Sequence, residues 1–147
     1  MDLLIFKPVI AVQLMVPHGL RTSHPPLDTL AGINPANAQT LIQEGIATSL
    51  GLQPKGAAKV ITTTSFGYEV REYVVRLVLP DAGLAFEILV AEIPYMPQTA
   101  TGRIKCLLGR DILQYGVLTY DGPAKICSLV FGGVSDGQRR SAASARG

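Results

Sequence analysis

At 147 residues the chain has the length of one ordinary domain. Apolar residues make up 48% of it and charged residues 16%, against roughly 25% charged in an average domain, so the chain must fold around a core and global disorder is excluded. Thirteen basic residues stand against eleven acidic ones, and setting aside Arg139, Arg140 and Arg146 at the end of the chain leaves ten against eleven, with no basic face for nucleic acid.

Fifteen Gly, ten Pro and no Trp, with many Val, Ile and Thr, point to short strands joined by tight turns and to an all-β domain. The two cysteines, Cys106 and Cys127, make no disulfide framework and no zinc spacing, and read as thiols buried in strands. The first sixteen residues are apolar, but Lys7 and Pro8 interrupt them and Asp2 has the wrong sign for a secretory signal, so the expectation is a soluble, cytoplasmic protein.

Pro8 to Val16 is one buried strand, too short to span a bilayer. Residues 17–27 hold three Pro, one Gly and both histidines, and form a loop; His18 and His24 have no third ligand at a useful spacing, so no metal is assigned. Leu30 to Ile33 is a short apolar run ended by the turn signal Asn34-Pro35. In Thr40 to Leu52 the positions of Leu41, Ile42, Ile46 and Leu50 predict a short helix from near Ile42 to Gly51. Val60 to Ser65 and Tyr68 to Leu79 flank Phe66-Gly67 as a hairpin, with Gly67 at or near its tip. After the turn Pro80-Asp81-Ala82-Gly83 comes a strand from Leu84 to Ile93, a loop from Pro94 to Thr101, a strand from Ile104 to Leu108 and a short helix over Asp111 to Tyr115, capped by Asp111. Gly116 to Tyr120 and Lys125 to Phe131 finish the fold around Asp121-Gly122-Pro123. Residues 132–147 are Gly, Ser, Ala and Arg with little to bury, and are expected to form a disordered basic tail behind a domain of residues 1–131.

The run Leu107-Leu108-Gly109-Arg110-Asp111-Ile112-Leu113, followed by Leu118-Thr119-Tyr120-Asp121-Gly122 and Ser128-Leu129, resembles the last third of retropepsin-like (retroviral-type) aspartic proteases. Upstream, Thr40-Leu41-Ile42 and Leu50-Gly51-Leu52 match the order of that family, and Val60 to Tyr73 stands where its flap would be. The resemblance covers about residues 8–131. It implies an acid-protease closed β-barrel lobe with one or two short helices, a homodimer, and an extended peptide held beneath flaps to which Phe66, Gly67 and Tyr68 belong. No cofactor and no metal are expected, and neither nucleic acid nor a membrane is expected as a partner.

The same resemblance implies a catalytic Asp-Thr-Gly-Ala loop, and counting back six from Thr40 puts its aspartate at Asn34, with Pro35, Ala36 and Asn37 after it. All four positions differ from the motif. In the family one aspartate from each chain shares a proton with its mate, since two such close charges cannot both be ionised. An amide has no titrating carboxyl, so Asn34 is no general base and hydrolysis is expected to be lost. Pro35 lacks both the hydroxyl and the N–H of the family's Thr. The alternative is an active endopeptidase that uses Asp28 in a shifted Asp28-Thr29-Leu30-Ala31 motif. Gly109, Arg110 and Asp111 are a structural signature, with Arg110 expected to bond loop carbonyls because the family's acidic partner position is Ala38.

Overall fold

The computed structural model describes residues 9–60, 68–94 and 104–132. Nine strands dominate: β1 (Val9–Met15), β2 (Leu27–Ile33), β3 (Leu41–Gln43), β4 (Gly56–Val60), β5 (Tyr68–Leu79), β6 (Leu84–Ile93), β7 (Ile104–Leu108), β8 (Gly116–Asp121) and β9 (Ile126–Phe131). Two one-turn helices, α1 (Ile46–Ser49) and α2 (Arg110–Leu113), and a 3-10 turn over Pro80–Ala82 complete the fold. It is the all-β barrel with short helices that the resemblance implies. The expected tail beyond Gly132 and the hairpin tip Phe66-Gly67 lie outside the described residues.

Six strands close on themselves in the order β1-β2-β7-β3-β6-β5, and the ring shuts where Gln13, Leu14 and Met15 pair with Val78, Leu77 and Arg76. Closure leaves no sheet edge in the ring. β4 lies outside it, paired among the described residues to β5, and β8–β9 is a separate two-stranded hairpin. Two pairings are parallel, β2 with β7 and β3 with β6. They bring the C-terminal ends of β2 and β7 side by side, Ile33 opposite Leu108.

The alternation along β5 sets the core. Tyr73, Val75, Leu77 and Leu79 are buried in the main cluster with Leu14, Ile42, Leu50, Val90 and Leu108. Val70, out of phase with them, belongs instead to a second, smaller cluster with Leu41, Ala91, Ile93 and Ile104. The break in period two between Val70 and Tyr73 is therefore a change of face, one strand serving two apolar clusters. Each fully buried Leu or Val here contributes roughly 1.5–3 kcal/mol. Ile112 of α2 is wholly buried in the main cluster. Phe86 of β6 stacks on Tyr115 at 5.7 Å and meets Phe131 at 6.2 Å, which ties the segment after α2 and the end of β9 to the barrel.

One strand departs from the sequence reading and another goes beyond it. The helix expected from near Ile42 begins only at Ile46, and Leu41–Gln43 is a strand held between β6 and β7. Gly45, at φ 98, separates the two. Gly56–Val60 pairs with β5 as a strand that the sequence reading did not assign, and the expected arm from Val60 to Ser65 lies outside the described residues beyond Val60. Among the described residues no helix is long and apolar enough to cross a membrane, and no three His, Cys, Asp or Glu gather as a metal would need.

Candidate functional site

β2 runs straight into the turn that begins at Asn34. The Asn34 N–H donates to Leu108 O at 2.9 Å, extending the β2–β7 pairing by one residue. Asn37 N–H returns to Asn34 O at 3.2 Å, and Ala36 N–H donates to the Asn34 side-chain Oδ1 at 3.1 Å. This is an Asx turn, in which the side-chain oxygen replaces a backbone acceptor; Pro35 fits its second position with φ already set. Asn34 and Asn37 are half-buried, while Pro35, Ala36 and Ala38 are exposed.

Behind the turn stands a clasp made by Gly109-Arg110-Asp111, buried at Gly109, half-buried at Asp111 and exposed at Arg110. Thr40 is fully buried. Its N–H and Oγ1 donate to the two oxygens of Asp111 at 2.9 and 2.6 Å, and its Oγ1 accepts the Gly109 N–H at 3.1 Å. One hydroxyl thus serves both the buried Gly109 N–H and the half-buried Asp111 carboxylate. Arg110 N–H and Asp111 N–H donate to Asn37 O and Ala38 O at 2.8 and 3.1 Å. The chains pass so closely that a Cβ on Gly109 would lie 2.6 Å from the Gln39 carbonyl; here the absence of a side chain is what permits the approach.

Asp111 does not cap α2, as local sequence suggests. The N-cap is Gly109, without any side-chain cap bond; the carboxylate is directed instead to Thr40, 71 residues away. Two buried donors on a charged acceptor outweigh one exposed cap. Arg110, exposed, donates Nη1 to Pro35 O at 2.8 Å. Cys106, opposite Ile42 in the β3–β7 pairing, is wholly buried; burial first and the Asp111 charge second push its thiol far above the ordinary range, so it stays protonated and inert.

A contact that sequence reasoning missed joins the loop to the hairpin. Gln39 Nε2 donates to Glu72 Oε2 at 2.7 Å and lies 3.2 Å from Leu89 O, linking the residue before Thr40 to β5 and β6 at the level where Gly56 of β4 pairs with Glu72. Nothing in the local sequence marks a partner 33 residues away. Asp28, by contrast, sits near the start of β2, exposed, opposite Gln13, whose Nε2 donates to its Oδ1 at 3.0 Å. Six residues of extended strand separate Asp28 from Asn34, about 20 Å. Tyr68 opens β5, and Phe66 and Gly67 fall outside the described residues.

The arrangement can bind and orient, but the loop itself carries no titrating group: positions 34 to 38 read Asn-Pro-Ala-Asn-Ala. The carboxylates bonded to its end, Asp111 and Glu72, are engaged by Thr40 and Gln39.

No protein-family model and no curated protein matches the sequence. Among solved structures, the chain is similar to EIAV protease complexed with the inhibitor HBY-793, at 17% identity over 74% of this chain and 86% of that one, with a TM-score of 0.48. It is also similar to the retroviral protease-like domain of Ddi1 from Leishmania major, at 11% identity over 82% of this chain and 87% of that one, with a TM-score of 0.41.

Proposed function

We propose that the chain is a retropepsin-like domain that works as a homodimer, holds extended peptides beneath its flap hairpins, and does not hydrolyse them because Asn34 stands where the catalytic aspartate would. The observation that carries this reading is the reach of the Gly109-Arg110-Asp111 clasp. Its bonds go to Pro35, Asn37, Ala38 and Thr40. That is the register in which the family motif falls on Asn34 to Asn37. Asp28 lies outside the clasp, at the far end of β2, where its carboxylate is engaged by Gln13.

A single chain offers one such loop and one β4–β5 hairpin, so a groove with two of each needs a second copy related by a two-fold axis. The chemistry of hydrolysis then fails at a defined point. Water attack on a peptide carbonyl needs a carboxylate to take a proton from water and a carboxyl to give one to the carbonyl oxygen. Asn34 can do neither.

The test pairs two measurements on the wild-type chain. Sedimentation equilibrium at high micromolar concentration should give a dimer. Incubation with a denatured protein between pH 3 and 7 should give a complex and no cleavage. A strict monomer would remove the two-chain groove, and cleavage blocked by a transition-state-mimicking inhibitor would remove the loss of hydrolysis.

A further inference from the structure

The Asn34 turn has committed its acceptor and kept its donors. Oδ1 faces the Ala36 N–H at 3.1 Å, and since that partner is itself a donor, the atom opposite it has to be the amide oxygen, which fixes the orientation of the side chain. Nδ2, with both of its N–H groups, has no acceptor among the described residues. On the residue that follows Asn34, the exposed Arg110 gives Nη1 to a neutral carbonyl, Pro35 O at 2.8 Å, and forms no ion pair among the described residues. The acids bonded to the end of the loop are engaged by Thr40 and Gln39. Spare donors on a turn whose next residue holds a guanidinium without an acid select an acceptor, most strongly an anionic one.

We infer that Asn34 and Arg110 form a binding site for a carboxylate carried by a peptide. The inference rests on the proposed peptide groove and names what that groove holds. It reverses the polarity of a carboxyl dyad, which acts on a neutral carbonyl. In a two-fold pair of loops, each mate's amide can at most occupy the second lone pair of the other's Oδ1, so N–H groups remain in excess. The same chemistry can be presented by a peptide C-terminus or by an Asp or Glu side chain.

The test uses the full chain labelled with 15N, with the Asn34 side-chain NH2 resonances assigned by their loss in Asn34→Asp. Three probes are titrated: randomised, N-acetylated pentapeptides without Asp or Glu and with a free C-terminal carboxylate; the same mixture amidated; and the amidated mixture with one central Glu. The first should shift the Asn34 side-chain pair to saturation, and the second should bind about tenfold more weakly, the scale of one charge-assisted hydrogen bond. Recovery with the third assigns the carboxylate to a side chain, which supports the inference, and failure to recover assigns it to the C-terminus, which also does. Asn34→Asp keeps the acceptor for Ala36 N–H, so its loop is retained, and it should lose the preference for the free carboxylate. Equal binding of the first two mixtures would overturn the inference. Binding that moves backbone resonances but leaves the Asn34 pair still would overturn it and leave the groove standing. No binding by any probe would overturn the groove reading as well.

Discussion

The loop from Asn34 to Thr40 has a buried rear and an exposed front, and the two are held by different bonds. At the rear, Thr40 is wholly buried and shares a closed set of bonds with Gly109 and Asp111. Removing Asp111 leaves the buried Thr40 N–H and hydroxyl without their acceptor, and removing the Thr40 hydroxyl leaves the buried Gly109 N–H without one. At the front, Pro35 and Ala36 are exposed, and the Asn34 side chain serves the turn with one oxygen. Changes there cost the fold little and alter only what the loop can do. The rear therefore fixes the shape of the loop, and the front sets which groups it presents.

The rear should give the largest effects. Asp111→Ala takes the acceptors from the Thr40 N–H and hydroxyl at once, and urea unfolding should show a loss of about 3–5 kcal/mol, the scale of a broken buried charged network. A loss below about 1 kcal/mol would mean the clasp is wetter than its geometry implies. Gly109→Ala places a Cβ 2.6 Å from the Gln39 carbonyl, so the β7–α2 junction must move, at about 1–3 kcal/mol by the same measurement. Arg110→Ala removes one exposed bond to Pro35 O and should cost about 1 kcal/mol or less. An effect as large as that of Asp111→Ala would erase the contrast between rear and front.

The thiols offer a finer probe. Cys106 lies wholly buried in the rear, whereas Cys127 on β9 is half-buried. A thiol reagent under native conditions should modify Cys127 and spare Cys106 until the chain unfolds. Burial raises both thiols. A group whose folded value is raised stabilises the fold below its unfolded value and loses that contribution as pH climbs, so stability should decline above about pH 8.5, where unfolded thiols ionise. Cys106→Val should flatten that decline.

What the sequence revealed follows the same division. The Gly-Arg-Asp signature, the turn at Asn34 and the ends of β5, β6 and β7 are legible because β-branched runs there are punctuated by Pro, Gly and Asn. The strand Leu41–Gln43 is not, because its few apolar residues fit a helical period as well as a strand's, and the pairing with β6 and β7 that decides the matter is long-range. Gly56–Val60 is hidden for a related reason: Gly and Ala have little strand preference of their own, and β5 supplies the partner. The direction of the Asp111 carboxylate and the Gln39–Glu72 bond depend on residues 71 and 33 positions away, beyond any local pattern. At the site, the sequence marked the turn at Asn34 but not that its side-chain oxygen accepts the Ala36 N–H.

The most direct test restores the front of the loop and leaves the rear untouched. In the variant carrying Asn34→Asp, Pro35→Thr and Ala36→Gly together, the carboxylate oxygen can still accept the N–H of residue 36, so the fold should be preserved. Cleavage of a denatured protein is followed between pH 3 and 7 for this variant, for wild type and for Asp28→Asn. The account predicts no cleavage by wild type or Asp28→Asn, and in the triple variant an activity with an acidic optimum that a transition-state-mimicking inhibitor blocks. Inhibitor-sensitive cleavage by wild type that disappears in Asp28→Asn would contradict it, and would move the catalytic position from the turn to the far end of β2.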